Sequence, residues 1–114
     1  MDERINKWLI DICNAIDEIE AFKSNQTKTL FDYENNLILK RAVERNLEII
    51  GEAMNRIITK DSSYLIIISE ARNIVGLRNL IIHNYDGVSD QNIWSILIEH
   101  LPVLKKEIDT LLNQ

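Results

Sequence analysis

From near Asn35 or Asn36 to about Ile58 the apolar residues Leu39, Val43, Leu47, Ile50, Met54 and Ile57 recur at steps of four, four, three, four and three. Those steps return a chain to one face of an α-helix and lie close to a heptad seam. A helix of about six turns with an unbroken apolar stripe must bury that stripe against other elements, so the rest of the chain has to supply them. Its opposite side carries Arg41, Glu44, Arg45, Glu48 and Glu52, which pair one turn apart on a wet face.

The remaining stripes have the same period. From Asp2 to Phe22, Ile5, Trp8, Leu9, Ile12, Ala15, Ile16, Ile19 and Phe22 form an amphipathic helix that Asp2 can cap and the polar run Lys23 to Lys28 ends. Leu30 to Tyr33 fit a short helical turn behind Thr29. Tyr64 to Ile68 resemble a buried strand, but a lone strand has no partner here, so they are expected to be an apolar connection packed on the core. Ser69 is the expected N-cap of a helix from Glu70 to about His83 that buries Ile74, Leu77 and Ile81, with Asp86 and Gly87 stopping it. Asp90 is the expected cap of a last stretch in which Leu97, Leu101, Leu104, Ile108 and Leu111 face inward, with Pro102 kinking or dividing it near His100. Three glycines and one proline leave little material for a turn-rich β fold. The expected architecture is all-α, an antiparallel bundle of four to five helices, with residues 1–114 as one domain.

No stretch approaches the roughly 18 apolar residues that cross a bilayer, and the start Met1-Asp2-Glu3-Arg4 lacks a basic segment followed by an apolar run, so the cytoplasm is the expected location. Cys13 is the only cysteine, which excludes an internal disulfide and a zinc-type spacing, and its neighbours Leu9, Ile12 and Ile16 mark it as a buried apolar residue. The net charge of −5 argues against generic nucleic-acid binding. The charge is uneven, however: residues 37–83 hold seven basic and five acidic side chains, a balance of +2, so the flanks carry −7.

Arg78, His83 and Tyr85 fall at the end of the third long helix and in the turn after it. Read plainly, a histidine in a last turn favours the helix dipole, a tyrosine packs its ring beside it, and an arginine lies on the surface. Read as a site, Arg78 and His83 stand roughly 140° apart around the helix, so a long arginine must swing toward the helix end, where Asn79 lies one turn beneath His83. A two-fold dimer would enlarge such a site. Glu48 and Glu52 could orient Arg78 across a helix interface or simply form a solvated stripe. Gly51 and Gly76 each weaken a helix, and close helix approach is the expected reason for both. Trp8 and Trp94 fall on apolar stripes and are read as core. No residue set forms a convincing metal site, and no cofactor is expected.

The segment from Gly76 to Asp86, with Arg78-Asn79, then His83 after four intervening positions, then Tyr85, resembles the signature of HepT-type proteins of the HEPN superfamily. Arg45 to Ala53 is similar to that family's long second helix, and Trp94 to Leu97 followed by Leu101-Pro102 to its last segment, so the likeness runs nearly the whole chain. The resemblance implies a homodimeric, metal-independent endoribonuclease toxin, neutralised by a nucleotidyltransferase-type antitoxin that can transfer AMP to the motif tyrosine, Tyr85. Arg78 and His83 would be catalytic, and Asn79 and Tyr85 would support or bind RNA. RNA supplies its own nucleophile, so the protein needs a proton acceptor, a proton donor and a cation; histidine exchanges protons near neutral pH and arginine is a fixed cation for phosphate. Two other readings stay open: a non-catalytic nucleotide- or substrate-binding subunit of a nucleotidyltransferase complex, and a plain dimeric helical scaffold.

Overall fold

The computed structural model describes residues 2–83 and 88–114. The expectations for Tyr85, and for Asp86 and Gly87 as a helix stop, therefore lie outside the described residues.

Short polar side chains open the first helices. Asp2 accepts from the amides of Arg4 (2.8 Å) and Ile5 (3.2 Å) and starts α1, Glu3–Lys23. Thr29 and Asp32 form a reciprocal capping box that starts α2, Leu30–Glu34. Asn36 accepts from Leu39 N–H (3.0 Å) and starts α3, Leu37–Lys60. Four further elements follow: α4, Tyr64–Ile67; α5, Ala71–His83; α6, Asp90–Ser95; and α7, Leu101–Leu112, joined to α6 by a π-helical turn over Ile96–His100. No strand occurs among the described residues, so the fold is all-α as expected.

Cross-helix contacts set the directions. Lys60 at the end of α3 pairs with Asp2 at the start of α1, and Asn46 on α3 donates to the Ala15 carbonyl in the middle of α1, so α1 and α3 run antiparallel. Cys13 meets Asp109 and Asp17 meets Lys105, which makes α1 and α7 antiparallel too. The stripe of α3 is buried throughout, from Leu39 to Ile57, and packs with Leu9, Ile12, Ile16 and Ile19 of α1 and with Leu97, Leu101, Leu104 and Ile108 in one core. Trp94 stacks on buried Tyr33 (5.9 Å between ring centres), under the Lys23 ammonium, while Lys40 pairs with Asp90 at 2.9 Å. Together these contacts fix α6 against α2 and α3.

Three local expectations are corrected. Tyr64 to Ile67 form a helical turn rather than an irregular connection: the amides of Ile66 and Ile68 find the carbonyls of Ser63 and Tyr64, which removes any need for a strand partner. Ser69 does not cap α5, because its hydroxyl and amide both donate to the Glu107 carboxylate on α7, at 2.8 and 3.2 Å. Ser89, not Asp90, caps α6 by accepting from Asn92 N–H at 3.0 Å. Pro102 acts as expected on the last stretch. It lacks an N–H and its ring crowds the carbonyl four residues earlier; the chain answers with the wide turn before it, in which Leu101 N–H reaches Ile96 C=O.

Among the described residues no helix is long and apolar enough to cross a membrane.

Candidate functional site

The site is built on α5. Its inward residues Ile74, Leu77 and Ile81 are buried against α3. The two helices approach closely at Gly51. A Cβ placed there would overlap Arg78 Cβ, and would sit 2.8 Å from Arg78 Cγ and 3.1 Å from the Ile74 carbonyl oxygen. Real carbon contacts lie at about 3.5–4 Å, so only glycine lets the stem of Arg78 seat against the α3 backbone. Close approach explains Gly51 as expected. It does not explain Gly76, where a Cβ would meet nothing within 4 Å.

Seating the stem in this way turns the head of Arg78 along the helix surface. Its Nη1 donates to Asn79 Oδ1 at 3.0 Å, and its Nε is buried without a protein acceptor among the described residues. Asn79 lies one turn before His83, and both are exposed. The Arg78 guanidinium thus reaches the carboxamide of the next residue, and His83 stands one turn further along the same helix. His83 occupies the last turn of α5.

The acidic residues that could have engaged Arg78 are engaged elsewhere. Glu48 accepts from Arg45 (3.2 Å) and Glu52 from Arg56 (2.8 Å), both along α3 itself. Their solvated-stripe reading is the correct one, and among the described residues no carboxylate pairs with Arg78. An arginine with no carboxylate partner among the described residues, bonded to an exposed carboxamide, can receive an anionic group such as a phosphodiester.

Sequence reasoning weighed Gly51 only as a packing residue and missed its part in aiming Arg78. The signal was available: a glycine in the middle of a long helix needs a reason. His100, to which the sequence assigned no role, has its Nδ1 3.1 Å from Glu70 Oε2, just before α5. Among the described residues no group of three or more histidine, cysteine or carboxylate side chains could hold a metal ion.

Residues 12–111 match the family model described as "Ribonuclease HepT-like". Similar curated proteins include a "Putative RNase" of Methanocaldococcus jannaschii, 36% identical over 108 residues that make up 92% of this chain and 94% of that protein. A second "Putative RNase" of the same organism is 35% identical over 96% of this chain and 91% of its own length. The "Probable ribonuclease HepT" of Thermococcus cleftensis is 36% identical over 91% of this chain and 92% of its own. No solved structure matches the chain significantly.

Proposed function

The chain belongs to the HepT-like ribonuclease family, and from that premise we propose that it is a metal-independent endoribonuclease whose working groups are Arg78 and His83, with Asn79 and Tyr85 in support. The observation that carries this reading is the Arg78 guanidinium. Its stem is locked on Gly51, its head is turned to Asn79 at 3.0 Å beneath His83, and no carboxylate neutralises it among the described residues.

In this scheme the RNA 2′-hydroxyl attacks the adjacent phosphorus. An imidazole takes the 2′ proton, Arg78 balances charge on the phosphorane oxygens, and the 5′ oxygen leaves with a proton, giving a cyclic phosphate and a free 5′-hydroxyl. His83 supplies one proton-transfer group per chain. A two-fold homodimer that sets two clusters face to face would supply the acceptor and the donor together. In this reading the protein is the toxin of a toxin–antitoxin pair, acts in the cytoplasm and is neutralised by a nucleotidyltransferase-type antitoxin. Transfer of AMP to Tyr85, two residues beyond His83, would place a phosphodiester where Arg78 would otherwise meet RNA. Residues 1–114 then act as one domain.

The test is RNA cleavage by purified protein free of any partner. His83→Ala and Arg78→Ala should each lower the rate by about a hundredfold or more, the usual scale for acid–base groups and charge stabilisers, with the thermal midpoint and particle mass unchanged. Chelators should have no effect. Cleavage that persists in folded His83→Ala protein would overturn the proposal.

A further inference from the structure

Gly76 stands in the middle of α5 with its would-be side-chain direction facing open space. Glycine there weakens the helix relative to alanine, and nothing among the described residues calls for it. The space in front of it is an open-sided cleft of about 460 Å³ between α5 and the α6–π-turn segment. That volume falls within the roughly 300–1,000 Å³ typical of small-molecule sites. The cleft's floor is apolar, made by Ile74, Leu77, Leu80 and Ile96. Its rim is polar: Arg72 has no ion pair, and the carboxamides of Asn73 and Asn92 have no protein hydrogen-bond partner among the described residues. The Glu70–His100 pair closes one end.

The cleft is in phase with Asn79 and His83 of the proposed catalytic cluster. Arg72, Gly76, Asn79 and His83 are spaced four, three and four, which places them on one exposed stripe of α5. Gly76 and His83 are seven positions apart, roughly 10 Å along the helix axis. A single strand whose phosphate sits at Arg78 and His83 would therefore carry a neighbouring base over Gly76.

We propose that this cleft is a nucleobase subsite, in which an unpaired RNA base lies flat on the Gly76 backbone and the Leu77–Leu80 floor while Asn73 and Asn92 read its edge and Arg72 meets the adjoining phosphate. The inference rests on the ribonuclease reading for its ligand. A second copy of this chain is the poorer occupant, because a packed helix would strand the two carboxamides and the arginine without partners, whereas a base edge offers donors and acceptors to match them. Side-chain recognition of splayed, unstacked bases is the common route to sequence preference in RNA.

A Cβ at Gly76 meets nothing within 4 Å among the described residues and points into the cleft, so Gly76→Leu is the variant that fills it, and its thermal midpoint is measured alongside to check folding. Binding is read by fluorescence anisotropy with short 2′-O-methyl RNA homopolymers of each base, which cannot be cleaved and so separate this inference from the catalytic one. The wild-type chain should prefer one base. Gly76→Leu should weaken that homopolymer by about tenfold or more, about 1.4 kcal/mol, and flatten the preference. Asn73→Ala with Asn92→Ala should flatten it too, at unchanged thermal midpoint. Equal binding of all homopolymers by the wild type, or an unaltered preference in Gly76→Leu, overturns the subsite. A change of particle mass in Gly76→Leu by light scattering also overturns it, since the cleft would then seat a second copy. A failed catalytic reading appears differently, as His83→Ala protein that cleaves like wild type.

Discussion

Gly51→Ala separates stability from activity in this protein, and its effect on each can be worked out in advance. Alanine improves a helix interior by about 1 kcal/mol over glycine. Against that, its methyl would overlap Arg78 Cβ and come within 2.8 Å of Arg78 Cγ and 3.1 Å of the Ile74 carbonyl. The first two atoms belong to the root of a side chain and the third to backbone, so no flexible tip can yield. Restoring ordinary contact requires α5 to retreat from α3 by roughly 1 Å, and overpacking of this kind costs about 1–3 kcal/mol. The difference is a net loss of about 1 kcal/mol, a fall in thermal midpoint of about 4 °C for a chain of this size. Activity should suffer far more, because a displacement of about 1 Å at a charge-stabilising group is worth up to a hundredfold in rate. The measurement pairs thermal unfolding with RNA cleavage for Gly51→Ala, Gly76→Ala and Gly51→Ala in an Arg78→Ala background. Gly76→Ala should gain the helix-propensity increment of about 1 kcal/mol, and the double variant should lose no activity beyond that of Arg78→Ala alone. A Gly51→Ala protein that gains stability like Gly76→Ala and cleaves at the wild-type rate would refute both the packing argument and the role assigned to Gly51.

Two other perturbations test parts of the description independently. Glu48→Gln and Glu52→Gln should change cleavage by less than about threefold and stability by less than about 1 kcal/mol, because each carboxylate serves only an exposed pair along α3; a loss like that of Arg78→Ala would show that one of them orients the arginine after all. The Cys13 thiol is pushed up to about 11, first by burial and then by the Asp109 carboxylate beside it, so native protein should react with iodoacetamide at neutral pH about a hundredfold more slowly than unfolded protein. Because the folded thiol holds its proton more tightly, its contribution to stability is complete below the ordinary thiol range and disappears as pH rises toward about 11, which a denaturant midpoint falling through alkaline pH would register.

The bundle was legible because its stripes carry the helical period without interruption. Every stripe residue of α3 from Leu39 to Ile57 is buried, as are Ile74, Leu77 and Ile81 on α5, and Pro102 disturbs the helix where its missing N–H requires. The failures are local competitions between polar groups that spacing cannot rank. Ser69 had two uses, and the carboxylate of Glu107, distant in sequence, took it from the helix start. Tyr64 to Ile68 had an apolar, β-branched composition but no partner, so turn hydrogen bonds decided their form. For the candidate site, the sequence showed that Arg78, Asn79 and His83 are neighbours along one helix. Its geometry was not legible, because the direction of Arg78 depends on a glycine 27 positions earlier. Gly51 and Gly76 read alike in the sequence, and only the packed structure shows one facing a neighbour and the other facing space.

The binding of Ser69 by Glu107 also bears on how the molecule breathes. With Ser69 drawn to α7, no side chain caps the first turn of α5 among the described residues, whereas α1, α2 and α3 each begin with one. The interior of α5 is rich in isoleucine and valine, poor intrinsic helix formers, so its persistence rests on docking against α3. Elements held by docking more than by their own ends open at lower free energy than the core they dock on. In hydrogen–deuterium exchange the amides of Asn73 to Leu80 should therefore lose protection before those of Leu47 to Ile57. The segment that carries Arg78 and His83 would then sample undocked forms while the α1–α3 pair stays closed.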